Sequence, residues 1–185
     1  MAIPTRPQAK AILASLGLPD GIVAHSEGVA WVAREAARLV SAQGIPVDIG
    51  LVEVAALLHD IDKLDTREGR GVHGVVAARR LTAMGHAELA APVASHPVTC
   101  LLDEDRFPRG WPSVLVSVAD RHVASSFLTT DERIDDLAAR YPRHASQLET
   151  ARRPAHALES EVAGAAGLPV EELVERLRTA WQAGA

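Results

Sequence analysis

The hydrophobic positions of this chain recur with the period of helices almost from end to end. Residues 7–16 read as a short first helix, stopped by the turn Gly17-Leu-Pro-Asp-Gly21. From 22 to 42 the stripe His25, Val29, Val32, Ala36 and Leu39 follows the i, i+4, i+7 spacing of a buried face, with Gly44 and Pro46 as terminators. That stripe turns His25 inward. Asp48 is the expected N-cap of the next helix, whose run Val52-Glu-Val-Ala-Ala-Leu-Leu58 is apolar nearly all round and should be the central, buried element. It ends on His59-Asp60. A polar loop is expected over 63–71, then a helix over 72–84 with His73, Ala77 and Leu81 on one face, then another from 87 carrying Leu89, Val93 and His96. His96-Pro97 closes that element, because the residue before a proline disfavours the helical region. Trp111-Pro112 opens a further helix with proline in the first turn, and Val116, Asp120, Val123 and Phe127 form one stripe along it. Thr129 and Glu132 read as a capping box ahead of Ile134, Leu137 and Tyr141. Two last helices are split by Gly167-Leu-Pro169, the second with Val170, Leu173, Leu177 and Trp181 on one side. No alternating strand pattern, internal repeat or low-complexity tract interrupts this, so the expected fold class is all-α.

Composition narrows the function classes. At 185 residues, 48% hydrophobic and 23% charged, the chain fits one globular domain, or one domain with a helical appendage. A net charge of −5 and 3% aromatic residues supply neither the basic footprint nor the stacking surface of a polynucleotide binder. No segment is apolar for long enough to span a bilayer, and Met1-Ala-Ile-Pro-Thr-Arg-Pro lacks the plan of a signal peptide, so no membrane association is expected. Cys100 is the single cysteine, which points to a reducing cytoplasm and excludes a thiolate metal site.

The candidate chemistry lies where polar residues interrupt apolar faces. A buried helix seldom ends on an adjacent imidazole and carboxylate unless something holds them, because unpaired buried charge is costly. A metal cation satisfies both. His25, His59, Asp60, His73, His96 and Asp120 give six N and O donors on five predicted helices, enough for two ions. One inward histidine is more often a hydrogen-bonded core residue than a ligand; four with two inward aspartates shift that balance. Imidazole and carboxylate suit Mn, Fe, Co, Ni or Zn better than Mg. The remaining histidines, His86, His122, His144 and His156, share no such face and are expected at the surface, as is Glu27. Trp31, Trp111 and Trp181 read as core, and Arg152-Arg153 as a solvated face. No Gly-x-Ser-x-Gly elbow, Gly-x-x-x-x-Gly-Lys loop or Gly-x-Gly-x-x-Gly fingerprint is present, which sets aside three large enzyme classes.

The order His25, His59-Asp60, His73, His96, Asp120, with Lys63 three positions after Asp60, resembles the HD-domain superfamily of metal-dependent phosphohydrolases. Ala55-Ala-Leu-Leu-His-Asp-Ile-Asp-Lys63 is similar to its central signature and Ser117-Val-Ala-Asp-Arg121 to its closing aspartate segment; the match spans about residues 21–130. Asp62 departs from the glycine common in the signature, and is expected to keep a left-handed helix end. The resemblance implies an N-terminal helix and turn over 1–20, an HD helical core over 21–130 and C-terminal helices over 131–185 packed on it. It implies that His25, His59, Asp60 and Asp120 hold a first divalent metal, and that Asp60 bridges to a second bound by His73 and His96. Two such ions about 3.5–4 Å apart can lower the pKa of a shared water and orient the hydroxide toward a phosphoryl group. Asp60 and Lys63 are then the expected catalytic residues, and Lys63 and Arg121 the expected contacts to a small phosphorylated substrate, with a nucleotide favoured. A surface role for Lys63 or Arg121 carries equal weight. A mixed-valence diiron oxygenase and a nucleotide-binding sensor without turnover are the rival readings, and a homo-oligomer stays open. Specificity is expected in the loop 100–110 and in the C-terminal helices.

Overall fold

The computed structural model describes residues 3–184; Met1 and Ala2, which open the segment read as lacking a signal peptide, and Ala185 lie outside the described residues. Helices α1 (Arg6–Ser15), α2 (Asp20–Ala42) and α3 (Ile49–Leu58) are followed by a short α4 (Lys63–Arg67), α5 (Val75–Ala83) and α6 (Ala90–Ser95). Then come α7 (Trp111–His122), α8 (Thr130–Arg140), α9 (Ala145–Ala166) and α10 (Val170–Gly184). Single 3₁₀ turns at Ala87–Leu89, Val98–Leu102 and Pro142–His144 join some of them. No strand forms among the described residues, so the fold is all-α.

Helix α3 is the axis. Every residue from Val52 to Leu58 is buried, and the Asp48 carboxylate caps the helix by accepting the Leu51 N–H at 2.9 Å. Glu53, the polar member of that run, is neutralised by Arg6. Helices α2, α6 and α7 pack around α3, so each delivers a side chain to the same end of it. Helix α10 crosses α2 at Gly28, where a Cβ would stand 3.0 Å from the Trp181 indole nitrogen and 3.0 Å from Val123. Helix α9 lies against α2, α7 and α8, and one apolar core runs from Ala9 to Leu177.

Four local expectations are corrected. The stretch expected as a polar loop contains α4, because the Thr66 N–H bonds back to Asp62 O and the Glu68 N–H to Leu64 O, closing a helical turn. His73 sits in the turn ahead of α5 rather than on its face, since Gly74, with φ of 81°, bends the chain there. The stripe from Val116 to Phe127 is broken after His122: Val123 and Phe127 form an isolated antiparallel bridge instead of a continuing helix. Tyr141 is 42% exposed because α8 ends at Arg140 and the 3₁₀ turn carries the ring outward.

Candidate metal centre

The six predicted donors converge at the C-terminal end of α3. His59 follows α3 directly and is fully buried, and Asp60 is 2% exposed. His25 comes from the first turns of α2, Asp120 from the last turn of α7, and His96 ends α6. On one side, His25 Nε2 lies 3.2 Å from His59 Nε2 and 3.1 Å from Asp120 Oδ1, with His59 Nε2 3.6 Å from the same oxygen. On the other, His73 Nε2 lies 3.1 Å from His96 Nε2 and 3.2 Å from Asp60 Oδ1, and His96 Nε2 stands 3.7 Å from that oxygen. Donors held about 2.1 Å from a first-row ion sit roughly 3.0–3.5 Å apart at octahedral or tetrahedral angles. Two edges of each triangle fall in that range, and the third is slightly longer, at 3.6 and 3.7 Å.

The protonation pattern fits the same purpose. His59 Nδ1 donates to Ala56 O at 2.6 Å and His96 Nδ1 to Val93 O at 2.7 Å, while His73 Nδ1 donates to Asp62 Oδ1 at 2.7 Å. Tying down Nδ1 leaves Nε2 of each ring, once deprotonated, as the atom aimed at its neighbours, which is the tautomer of a metal ligand. Lone pairs and carboxylates facing one another at such distances are repulsive unless protons or cations lie between them. Burial would raise the Asp60 carboxyl, but the nearby His59, Lys63 and His73 charges outweigh it and hold the group well below the usual carboxylate range. Asp120 is likewise held low against its burial by hydrogen bonds from His25 and His59. Burial would lower His73, yet its bonds to Asp60 and Asp62 raise it to about 9. His96 is pushed well below its ordinary value by burial and by the positive His59 and His73.

Among the described residues, His25 with His59 and Asp120, and His59 with Asp60 and His96, are groups able to hold a metal ion. The donor set therefore fits the metals expected from it, and the chemistry such a centre supplies is that of a Lewis acid beside a cleft. That cleft has a volume of about 950 Å³ and is lined by His25, Asp60 and Lys63, and from the later helices by Arg133, Arg140 and Trp181. The family model for the HD domain matches residues 22–124, more than half of the chain. This chain belongs to the HD-domain family. HD domains bind divalent metals and are in general metal-dependent phosphohydrolases, and all six donors fall inside the matched segment. Neither the comparison with curated proteins nor that with solved structures returned a match. No helix among the described residues of this HD protein is long and apolar enough to cross a membrane.

Several residues stand elsewhere than the sequence suggests. Lys63 is paired with Asp60 Oδ1 at 3.0 Å and lies 3.2 Å from His73 Nε2, so its ammonium is part of the donor cluster. Arg121 is 1% exposed and does not line the cleft: its guanidinium bonds to Ser117 at 2.9 Å, and burial pushes it down to about 10. His122 is buried, not on the surface, with Nε2 2.9 Å from Glu159 and its ring stacked on Phe127, because α9 covers that face of α7. His86 is half-buried, and His156 is half-buried because it bonds to Asp131 on α8. His144 is exposed. Glu27 is half-buried and paired with Arg6 and Lys10. Trp31 is half-buried with the Arg6 guanidinium over its ring, whereas Trp111 and Trp181 pack against the core. Arg152 is clamped by Asp131 and Asp135, each at 2.7 Å, because its face of α9 meets α8. The segment 100–110 does not line the cleft; Cys100 and Leu101 are buried where its 3₁₀ turn meets α9.

Two functional groups escaped the sequence reading. Asp62 is fully buried, with φ of −101° rather than in the left-handed region, and its carboxylate accepts His73 Nδ1–H and the backbone N–H groups of Gly74 at 2.8 Å and Ala77 at 3.1 Å. The second carboxylate in His59-Asp-Ile-Asp62 was the available signal. Arg133, Asp136 and Arg140 form an i, i+3, i+7 stripe on α8, a polar face legible beside the apolar one.

Proposed function

We propose that this HD-domain protein hydrolyses a phosphate ester or anhydride, with a nucleotide as the favoured substrate class, at a dinuclear metal centre. The observation that carries the two-ion reading is the orientation of Asp60. Its Oδ2 lies 3.7 Å from His25 Nε2, while Oδ1 faces His73 and His96, so one carboxylate reaches into both donor triangles. His25, His59 and Asp120 would hold one ion, His73 and His96 the other, and Asp60 would serve both. Bound divalent ions would acidify a water and neutralise charge developing on a phosphoryl oxygen. The chain's own part is to fix the donors and to receive an anion. Asp62 holds the His73 ring in register, and the backbone carbonyls of Ala56 and Val93 do the same for His59 and His96. Lys63, one of whose N–H groups is used by Asp60, has further donors to turn toward an anion in the cleft.

Four cationic side chains available to an anion favour hydrolysis over oxygen chemistry: Lys63, Arg67, Arg133 and Arg140 border the cleft, beside the carboxylates of Glu27, Asp60 and Asp136. The test exploits the difference between Lewis-acid and redox work. Protein stripped of metal and reconstituted with Mn(II) or Co(II) without oxygen is expected to release phosphate or a mononucleotide from a panel of nucleotides and phosphate esters. Activity confined to iron with stoichiometric consumption of O₂ would replace this reading with the diiron oxygenase, and tight nucleotide binding without product under every metal would replace it with a sensor.

A further inference from the structure

We infer that Arg133 and Arg140 of α8 form an anion subsite in the cleft that takes a second phosphoryl group, so that the substrate carries a diphosphate or longer chain. The inference rests on the phosphohydrolase reading. A guanidinium as buried as that of Arg133, 8% exposed, ordinarily sits in a two-pronged pair with a carboxylate. Here the pairing is incomplete. Nη1 lies 3.2 Å from Asp136, Nη2 stands 3.8 Å from Asp120 Oδ1, and the buried Nε has no partner. Asp136 is itself shared with Arg140, so two guanidinium groups divide one carboxylate and one positive charge is left over. Asp120 cannot supply the balance, because the oxygen nearest Arg133 is the one 3.1 Å from His25 and belongs to the metal donors.

The excess charge lies beside the cleft and at a particular end of the donor cluster. Arg133 borders Asp120, at the His25 side; Lys63 borders Asp60 and His73, at the other. A single phosphoryl group over the metal donors would meet the lysine without needing α8. A chain of two or more phosphoryl groups would bridge from the donors to the arginines and satisfy the buried guanidinium. Helix α8 lies beyond residue 124, where the HD match ends, so this contact is a property of the chain's own C-terminal helices.

The probes are methylenediphosphonate, which resists hydrolysis, and methylphosphonate, which carries one phosphoryl-like group. Binding to Mn(II)-loaded protein is measured by calorimetry, with bound metal quantified in the same samples. Wild type is expected to bind the diphosphonate at least about tenfold more tightly than the monophosphonate, and Arg133→Gln to lose most of that preference at unchanged metal content, the size of one charge-assisted contact. Arg133→Lys should restore part of it. Arg140→Gln, altering a half-exposed side chain and so keeping the fold, frees Asp136 to neutralise Arg133 and should weaken diphosphonate binding as well. No preference in wild type, or equal losses for both probes, or a variant whose weaker binding follows loss of metal, would overturn the subsite. Turnover of the ester panel is scored separately. Arginine-dependent preference without turnover leaves the subsite and removes the hydrolase reading; turnover without preference does the reverse.

Discussion

Asp62 stands where the HD signature commonly has glycine, and it uses that position for three hydrogen bonds at once: to the His73 ring and to the backbone of Gly74 and Ala77. A carboxylate behind a ligating histidine sets its tautomer and basicity, and removing such a partner typically costs 10–100-fold in metal affinity. Asp62→Ala is therefore expected to weaken one of two metal-binding events by about that factor while sparing the other, measured by metal titration calorimetry. Two unchanged binding events would mean that Asp62 serves only the turn before α5. The same contacts govern the metal-free protein's response to pH. His73 is raised to about 9 by Asp60 and Asp62 against its burial, so the folded state holds its proton more tightly than the unfolded chain does. That stabilisation is complete below an unfolded value near 6.5 and is lost as pH rises toward 9. Urea midpoints of metal-free protein should fall across this window, and His73→Gln should flatten the fall. Metal affinity should rise over the same interval, because the ion needs the deprotonated ring.

At the scale of elements, the contact of α2 with α10 depends on the absence of a side chain at Gly28. A Cβ there would be 3.0 Å from both Trp181 and Val123, tighter than most packed contacts, so a neighbour would have to shift. Gly28→Val is expected to push α10 outward and lower stability by about 1–3 kcal/mol in chemical denaturation. Because Trp181 also walls the cleft, the variant should bind the diphosphonate less tightly. An unchanged denaturation midpoint would show that α10 can shift without cost. Capping explains why several element starts were legible beforehand: Asp48 caps α3, and the Thr129–Glu132 box starts α8, as their side-chain chemistry requires. Element ends were less so. After His122 the apolar periodicity runs on through Val123 to Phe127, yet Leu128 N–H bonds back to His122 O and the chain turns.

At the scale of the molecule, one apolar core joins the HD segment to α9 and α10, so unfolding should be a single transition seen alike by far-ultraviolet circular dichroism and by the fluorescence of Trp31, Trp111 and Trp181. An ion that binds the assembled donors but not the unfolded chain should raise that stability by about 2.7 kcal/mol at a hundredfold excess over its dissociation constant. Added Mn(II) or Co(II) that left the midpoint unmoved would remove the metal centre from this account.

The sequence by itself determined that the chain is helical and that polar residues such as His25 and Asp120 interrupt apolar stripes, because helical periodicity is a local property and a polar residue on an apolar stripe is visible without knowing its neighbours; His73, in the turn before α5, was placed by the fold. Order and spacing also carried the HD resemblance. Only the tertiary structure decided which charges meet across helices. It turned Arg121 and His122 into the interior by laying α9 over α7, and brought Arg133 from α8 to the edge of the donors. Those outcomes depend on the approach of segments far apart in the chain, and periodicity within one helix holds no information about its partner.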